Sequence, residues 1–124
     1  MNIENHPLLK AHPHKIPDSI INNDPPMMAV IAKLTAKPGM ADHLKEVLAI
    51  ACSLVRPNEP GIPQYHATQS REDPHVFKMF EVYRDQAALD HHTSGTPYIP
   101  QLLPMIIDSL AVDPELEWLD SIFD

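Results

Sequence analysis

The stretch MAVIAKLTAKPG, residues 28–39, decides the fold. Its β-branched Val30, Ile31 and Thr35 within an apolar run to Ala36 predict a strand, and Lys37-Pro38-Gly39 predicts the turn that ends it. Successive side chains of a strand point to opposite faces. Met28, Val30, Ala32 and Leu34 therefore share one face, and Ala29 and Ile31 share the other. Both faces are apolar, so the sheet built on this strand needs cover on both sides.

Outward from this strand, the pattern changes period. Met40, Leu44, Val47, Leu48, Ala51, Leu54 and Val55 recur at helical spacing. Asp42 and Glu46 near the start and Arg56 at the end suit the helix dipole, and Pro57 is expected to end the helix before the loop Asn58-Glu59-Pro60-Gly61. Two strands are predicted next, Pro63 to Ser70 and His75 to Tyr83, joined by the turn Arg71-Glu72-Asp73-Pro74 and hence antiparallel. Asp85 reads as the N-cap of a short helix over Gln86 to Thr93, which Ser94-Gly95 breaks. Thr96-Pro97 reads as a second N-cap, with Tyr98, Leu102, Met105, Ile106 and Leu110 at helical spacing; Pro104 is expected to kink or split that helix. Glu115 to Ile122 is the last strand candidate, with Leu116, Trp118 and Ile122 on one face.

The order β-α-β-β-α-(α)-β is the split βαβ, or ferredoxin-like, α+β arrangement: four antiparallel strands with helices on one face. The apolar second face of the first strand then predicts a homodimer packed sheet to sheet. Residues 1–26 carry Pro7, Pro13, Pro17, Pro25, Pro26 and three histidines with no apolar period. They read as an extended or disordered arm, or as one that packs across a neighbouring subunit through Leu8, Leu9, Ile20 and Ile21. No carboxylate or cysteine flanks His12-Pro13-His14, so no metal is expected there. Residues 27–124 form the folded domain.

Composition narrows the chemistry. The chain has 124 residues with 3 glycines and 14 prolines, and Gly39, Gly61 and Gly95 stand too far apart to cradle a phosphate. P-loop and dinucleotide fingerprints are thereby excluded. A net charge of −8 gives no electrostatic reason to bind nucleic acid or an anionic membrane. Cys52 is the single cysteine, which excludes an intramolecular disulfide and a thiolate zinc site. No apolar run approaches the ~20 residues of a membrane span, and no basic segment precedes an apolar one at the N-terminus. A cytoplasmic location is expected.

Several elements stand in an order that resembles one family. They are Met28–Ala36, Pro38-Gly39, Glu59-Pro60-Gly61, Tyr65, Asp73-Pro74, Phe77, Glu81-x-Tyr83-x-Asp85, Ala88-Leu89-x-x-His92 and Thr96-Pro97-Tyr98. The ordered set is similar to the antibiotic biosynthesis monooxygenase (ABM) family over about residues 27–118. The resemblance implies a dimeric α+β barrel with a pocket in each subunit between sheet and helices. It also implies oxidation of phenols, anthrones or quinols by molecular oxygen without a cofactor. Other members degrade haem or isomerise a phosphorylated sugar. Tyr98 stands where family members often carry a second histidine after Thr-Pro. Ala32, His92 and Leu102 or Leu103 stand where the haem-degrading branch has Asn, Trp and the ligating His, which disfavours haem degradation.

Oxidation without a cofactor needs a base to form the substrate anion, donors for its oxygen and a dry pocket. His92, three residues after Leu89, is the candidate base, with a core-edge structural histidine as the alternative. Tyr65 and His66 lie on opposite strand faces, so only one of them faces the pocket. Tyr98 is a candidate substrate donor and Trp118 a candidate stacking platform. Glu81, mid-strand among apolar residues, must be paired if buried, and a structural role is the expectation. Cys52 reads as a small hydrophobe. Two other functions fit the scaffold: an isomerase or tautomerase, and a non-catalytic small-molecule-binding stress-response barrel. The second predicts a fully bonded His92 and no open cavity.

Overall fold

The structure, a computed structural model, describes residues 26–122; the expectations for residues 1–25 lie outside the described residues. Strands β1 (Met28–Thr35), β2 (Gln64–Gln69), β3 (Val76–Tyr83) and β4 (Glu115–Asp120) form one antiparallel sheet in the order β2-β3-β1-β4. Helices α1 (Ala41–Asn58), α2 (Gln86–Asp90) and α3 (Ile99–Asp108), with a π-helical turn at His91–Gly95, complete the ferredoxin-like α+β fold. Among the described residues no helix is long and apolar enough to cross a membrane.

Local chemistry explains the elements. Helix α1 buries Leu44, Val47, Leu48, Ala51, Cys52 and Val55, the stripe its spacing predicts, against the Val30, Ala32 and Leu34 face of β1. The turn at Lys37-Pro38-Gly39 uses Gly39 at φ +80°, the left-handed region where a side chain is strained. Pro57 does not end α1 but sits in its last turn. Closure comes two residues later, where the Glu59 N–H donates to the Val55 carbonyl at 2.9 Å. Asp85 caps α2 as expected, its Oδ1 accepting from the Ala88 N–H at 2.8 Å.

The second half of that helix departs from expectation, because α2 widens into the π turn His91–Gly95. Three hydroxyls answer its displaced carbonyls. Thr93 Oγ1 donates to Leu89 O at 3.1 Å, Ser94 Oγ to Asp90 O at 2.8 Å, and Thr96 Oγ1 to His92 O at 3.3 Å. Helix α3 begins at Ile99 rather than after Thr96, although Thr96 Oγ1 still accepts from the Ile99 N–H at 3.3 Å. Pro104 does not split α3. Its missing N–H deprives only the carbonyl of Pro100, an exposed residue in the first turn, where water can serve instead.

Strand register fixes what lies side by side. Tyr65 pairs with Glu81, Glu81 with Val30, and Val30 with Trp118, giving one row across the helix-covered face. Ala67, Met79, Ala32 and Leu116 form the next row. The helices do not reach β4, which leaves Leu116 and Trp118 55% and 52% exposed. On the opposite face, His66, Phe80, Ile31 and Glu117 form a row, flanked by Ala29, Val82 and Leu119. Among the described residues no helix covers that face, and Phe80 is 38% exposed.

Candidate functional site

A cavity of about 280 Å³ lies between the helix-covered face of the sheet and the roof formed by the π turn and α3. The floor is the row Tyr65, Glu81, Val30 and Trp118 with Tyr83, Ala32 and Leu116 beside it; Ile99, Leu102, Leu103, Ile106 and Ile107 hang from α3. Polar groups gather at the β2–β3 end, under His92, while the β4 end is apolar. Among the described residues the lining contains no Lys or Arg.

His92 is 6% exposed and lines this cavity. Its Nδ1 lies 3.1 Å from both carboxylate oxygens of Glu59. Glu59, in the turn that closes α1, is itself 3% exposed, and its Oε2 also accepts a hydrogen bond from the Tyr98 hydroxyl. Nδ1 faces both carboxyl oxygens of Glu59, so the ring hydrogen that it donates to them sits on Nδ1. Nε2 is then the acceptor, and it has no partner among the described residues. The Tyr65 and Tyr83 rings, with centroids 5.2 Å and 5.6 Å from that of His92, hold the imidazole from below. The π turn presents His92 inward and His91 to solvent.

A second carboxyl faces the cavity from the floor. Glu81 Oε1 accepts from the Tyr83 hydroxyl, and Oε2 has no partner among the described residues. Burial pushes the Glu81 carboxyl above the usual range, only partly offset by the Tyr83 hydrogen bond. Burial, reinforced by Glu81, also raises the Tyr65 and Tyr83 phenols. Burial and the Glu59 hydrogen bond raise Tyr98. All three tyrosines therefore carry their protons near neutrality and serve as donors.

The structure thus brings His92, Tyr65 and Trp118 into one cavity. Tyr98 stands behind it, on Glu59 rather than on the space a substrate would fill. His66 is on the other face of the sheet, its Nδ1 3.3 Å from Arg56, because strand alternation sends it away from Tyr65; that placement removes it from this cavity. Glu59 is the residue that sequence reasoning missed. Proline-flanked loop carboxylates are usually solvated, and its only signal was its place in the Glu-Pro-Gly motif. Cys52 lies at a separate groove between α1 and β2, where burial raises its thiol and makes it a poor nucleophile. Among the described residues no three His, Cys, Asp or Glu side chains are grouped to hold a metal ion.

A family profile described as "Antibiotic biosynthesis monooxygenase" matches residues 27–99. A protein of Synechocystis sp., described as uncharacterized, is 30% identical over 92 residues, 73% of this chain. The match spans 60% of that relative's own length. A crystal structure from Caulobacter crescentus, described as a candidate antibiotic biosynthesis monooxygenase, superposes with a TM-score of 0.72 at 32% identity, covering 78% of this chain and 91% of its own. The structure of PA3566 from Pseudomonas aeruginosa superposes with a TM-score of 0.67 at 33% identity, covering 77% and 94% respectively.

Proposed function

Because the chain belongs to the antibiotic biosynthesis monooxygenase family, we propose that it is a cofactor-independent monooxygenase-like protein acting on a small aromatic or quinol-type substrate with molecular oxygen. One observation carries this reading. The buried Glu59 carboxyl holds His92 by Nδ1, while Nε2 has no partner among the described residues and the ring lines an apolar cavity. This is the arrangement of an oriented general base.

In this reading, Nε2 takes a proton from a ring hydroxyl or an activated ring methylene. Glu59 stabilises the imidazolium that forms, and Tyr98 positions Glu59. The substrate anion, held in a site with few competing dipoles, passes an electron to oxygen. For an anthrone-type methylene, one oxygen atom becomes the carbonyl and the other leaves as water with the two methylene hydrogens. Tyr65 donates to the substrate oxygen, and Trp118 stacks on the ring at the cavity mouth. At about 280 Å³ the cavity is nearly twice the roughly 150 Å³ apolar void that accepts one benzene ring, so one or two rings fit.

Two features weigh against the other functions. An isomerase of a phosphorylated substrate needs cations in its pocket. Lys33 and Lys78 face each other on the uncovered side of the sheet, and Arg84 Nε donates to the Pro60 carbonyl. A purely structural His92 would be fully bonded with no cavity beside it, unlike the geometry here. The reading includes a homodimer through the uncovered sheet face and a cytoplasmic location.

The test is oxygen uptake by the purified protein across a panel of anthrones and quinols, with no flavin or metal added. Uptake is expected with at least one of them, and His92→Ala should lower turnover about a hundredfold or more. No uptake across the panel, or unchanged turnover in the variant, overturns the reading. Substrate conversion under anaerobic conditions would instead favour a tautomerase.

A further inference from the structure

The cavity has two kinds of unanswered polar atom. His92 lines it from the roof and Glu81 from the floor row, one strand from Tyr65, and neither His92 Nε2 nor Glu81 Oε2 has a hydrogen-bond partner among the described residues. Among the described residues Glu81 has a hydrogen-bond partner for one oxygen only, and that partner, Tyr83, lies two residues along its own strand. A carboxyl placed only to anchor Tyr83 would not need to stand in a ligand cavity, and among the described residues no Lys or Arg of the lining balances it, the Tyr83 hydrogen bond and His92 alone opposing the effect of burial.

We propose that Glu81 contacts the substrate as a neutral acid, donating its O–H to a second substrate oxygen while His92 accepts from the first. The site would then select uncharged ring compounds that carry two oxygen functions over those that carry one. The proposal rests on the reading of this cavity as a substrate site and adds a specificity-determining residue to it. The two groups divide the work. One carboxyl, Glu59, is held by two donors and backs His92; the other, Glu81, is desolvated, which favours its protonated form. When His92 takes the proton of the first hydroxyl, the new oxyanion lies in a site that also holds the Glu81 O–H.

Trp118, the only tryptophan, lines the cavity and reports its occupancy through fluorescence. Binding of 1-naphthol and of 1,5- and 2,3-dihydroxynaphthalene would be measured by Trp118 quenching and by calorimetry. The experiment is run without oxygen on the full chain, from about pH 5 to about pH 8, below the phenolic range of the probes. At least one dihydroxy probe should bind about three- to tenfold tighter than 1-naphthol, the worth of one hydrogen bond. Glu81→Ala should erase that difference and Glu81→Gln, which keeps a donor, should retain it.

Wild-type preference for the dihydroxy probe should fall as pH rises and Glu81 loses its proton, whereas Glu81→Gln should keep the preference throughout. The other titratable groups facing Glu81 are Tyr83 from β3, Tyr65 from β2, Glu59 from the loop after α1, His92 from the π turn and Cys52 from α1; all persist in the variant. Equal binding of mono- and dihydroxy probes by the wild type, or a preference that survives in Glu81→Ala, overturns the role of Glu81 and leaves the cavity reading standing. Failure of every naphthol to bind overturns both.

Discussion

Glu59 and Glu81 show how position divides one residue type into two functions. Glu59 is 3% exposed yet accepts from an imidazole and a phenol, so its buried oxygens are answered. Glu81 has one phenol and little water, which favours its protonated form. That shift has a consequence for stability. A carboxyl whose folded pKa is raised costs nothing below the unfolded value of about 4.3, and stability is lost as pH climbs from there through the folded value. Glu81→Gln removes this loss. Its urea midpoint should therefore gain on the wild type steadily from about pH 4 toward neutrality, and a constant difference across that range would contradict the assignment. At this scale the inward placement of His92 was legible from its spacing to Leu89, because helical periodicity is local. Glu59 was not, because its partners His92 and Tyr98 stand 33 and 39 residues away in the chain.

At the scale of elements, the site depends on how the α1–β2 loop and α2 touch. Gly61 follows Glu59 by two residues, and a Cβ there would stand 2.8 Å from Ala88 Cβ. Ala88 has no flexible tip to move aside, so Gly61→Ala must push α2 off the loop. A cost of about 1–3 kcal/mol is expected, read as a lower urea midpoint without a change in slope. Gly95 differs, since the atom a Cβ would meet there belongs to the exposed ring of His91. The strands, α1 and the Asp85 cap were all legible, because alternation, periodicity and capping are written in neighbouring residues. The π turn was not. Thr93, Ser94 and Thr96 read as ordinary helix-ending residues until their hydroxyls are seen on the carbonyls of Leu89, Asp90 and His92. The same holds for Pro104, which a short, exposed helix tolerates better than a long buried one.

At the scale of the molecule, among the described residues one sheet face is covered by helices and the other is not. The uncovered face offers Ala29, Ile31, Phe80, Val82 and Leu119, with His66, Lys33, Lys78 and Glu117 among them. A stable dimer buries about 800 Å² on each partner, and a four-stranded sheet face is of that order. Phe80→Glu places a charge at the middle of this surface, away from the cavity. Light scattering coupled to size exclusion should find a dimer for the wild type and a monomer for the variant; a wild-type monomer would exclude sheet-to-sheet pairing.

The sequence by itself determined the order of elements, the face of each strand and the ferredoxin-like class, since each follows from periods of two and 3.6 residues and from turn chemistry. Tertiary structure alone decided that Glu59 meets His92, that Tyr98 backs the pair instead of reaching the cavity, and that Tyr65, Glu81, Val30 and Trp118 form one floor. The reason is physical. Whether a polar side chain is solvated or buried depends on partners brought from distant strands and turns, and the local sequence around it carries no record of them.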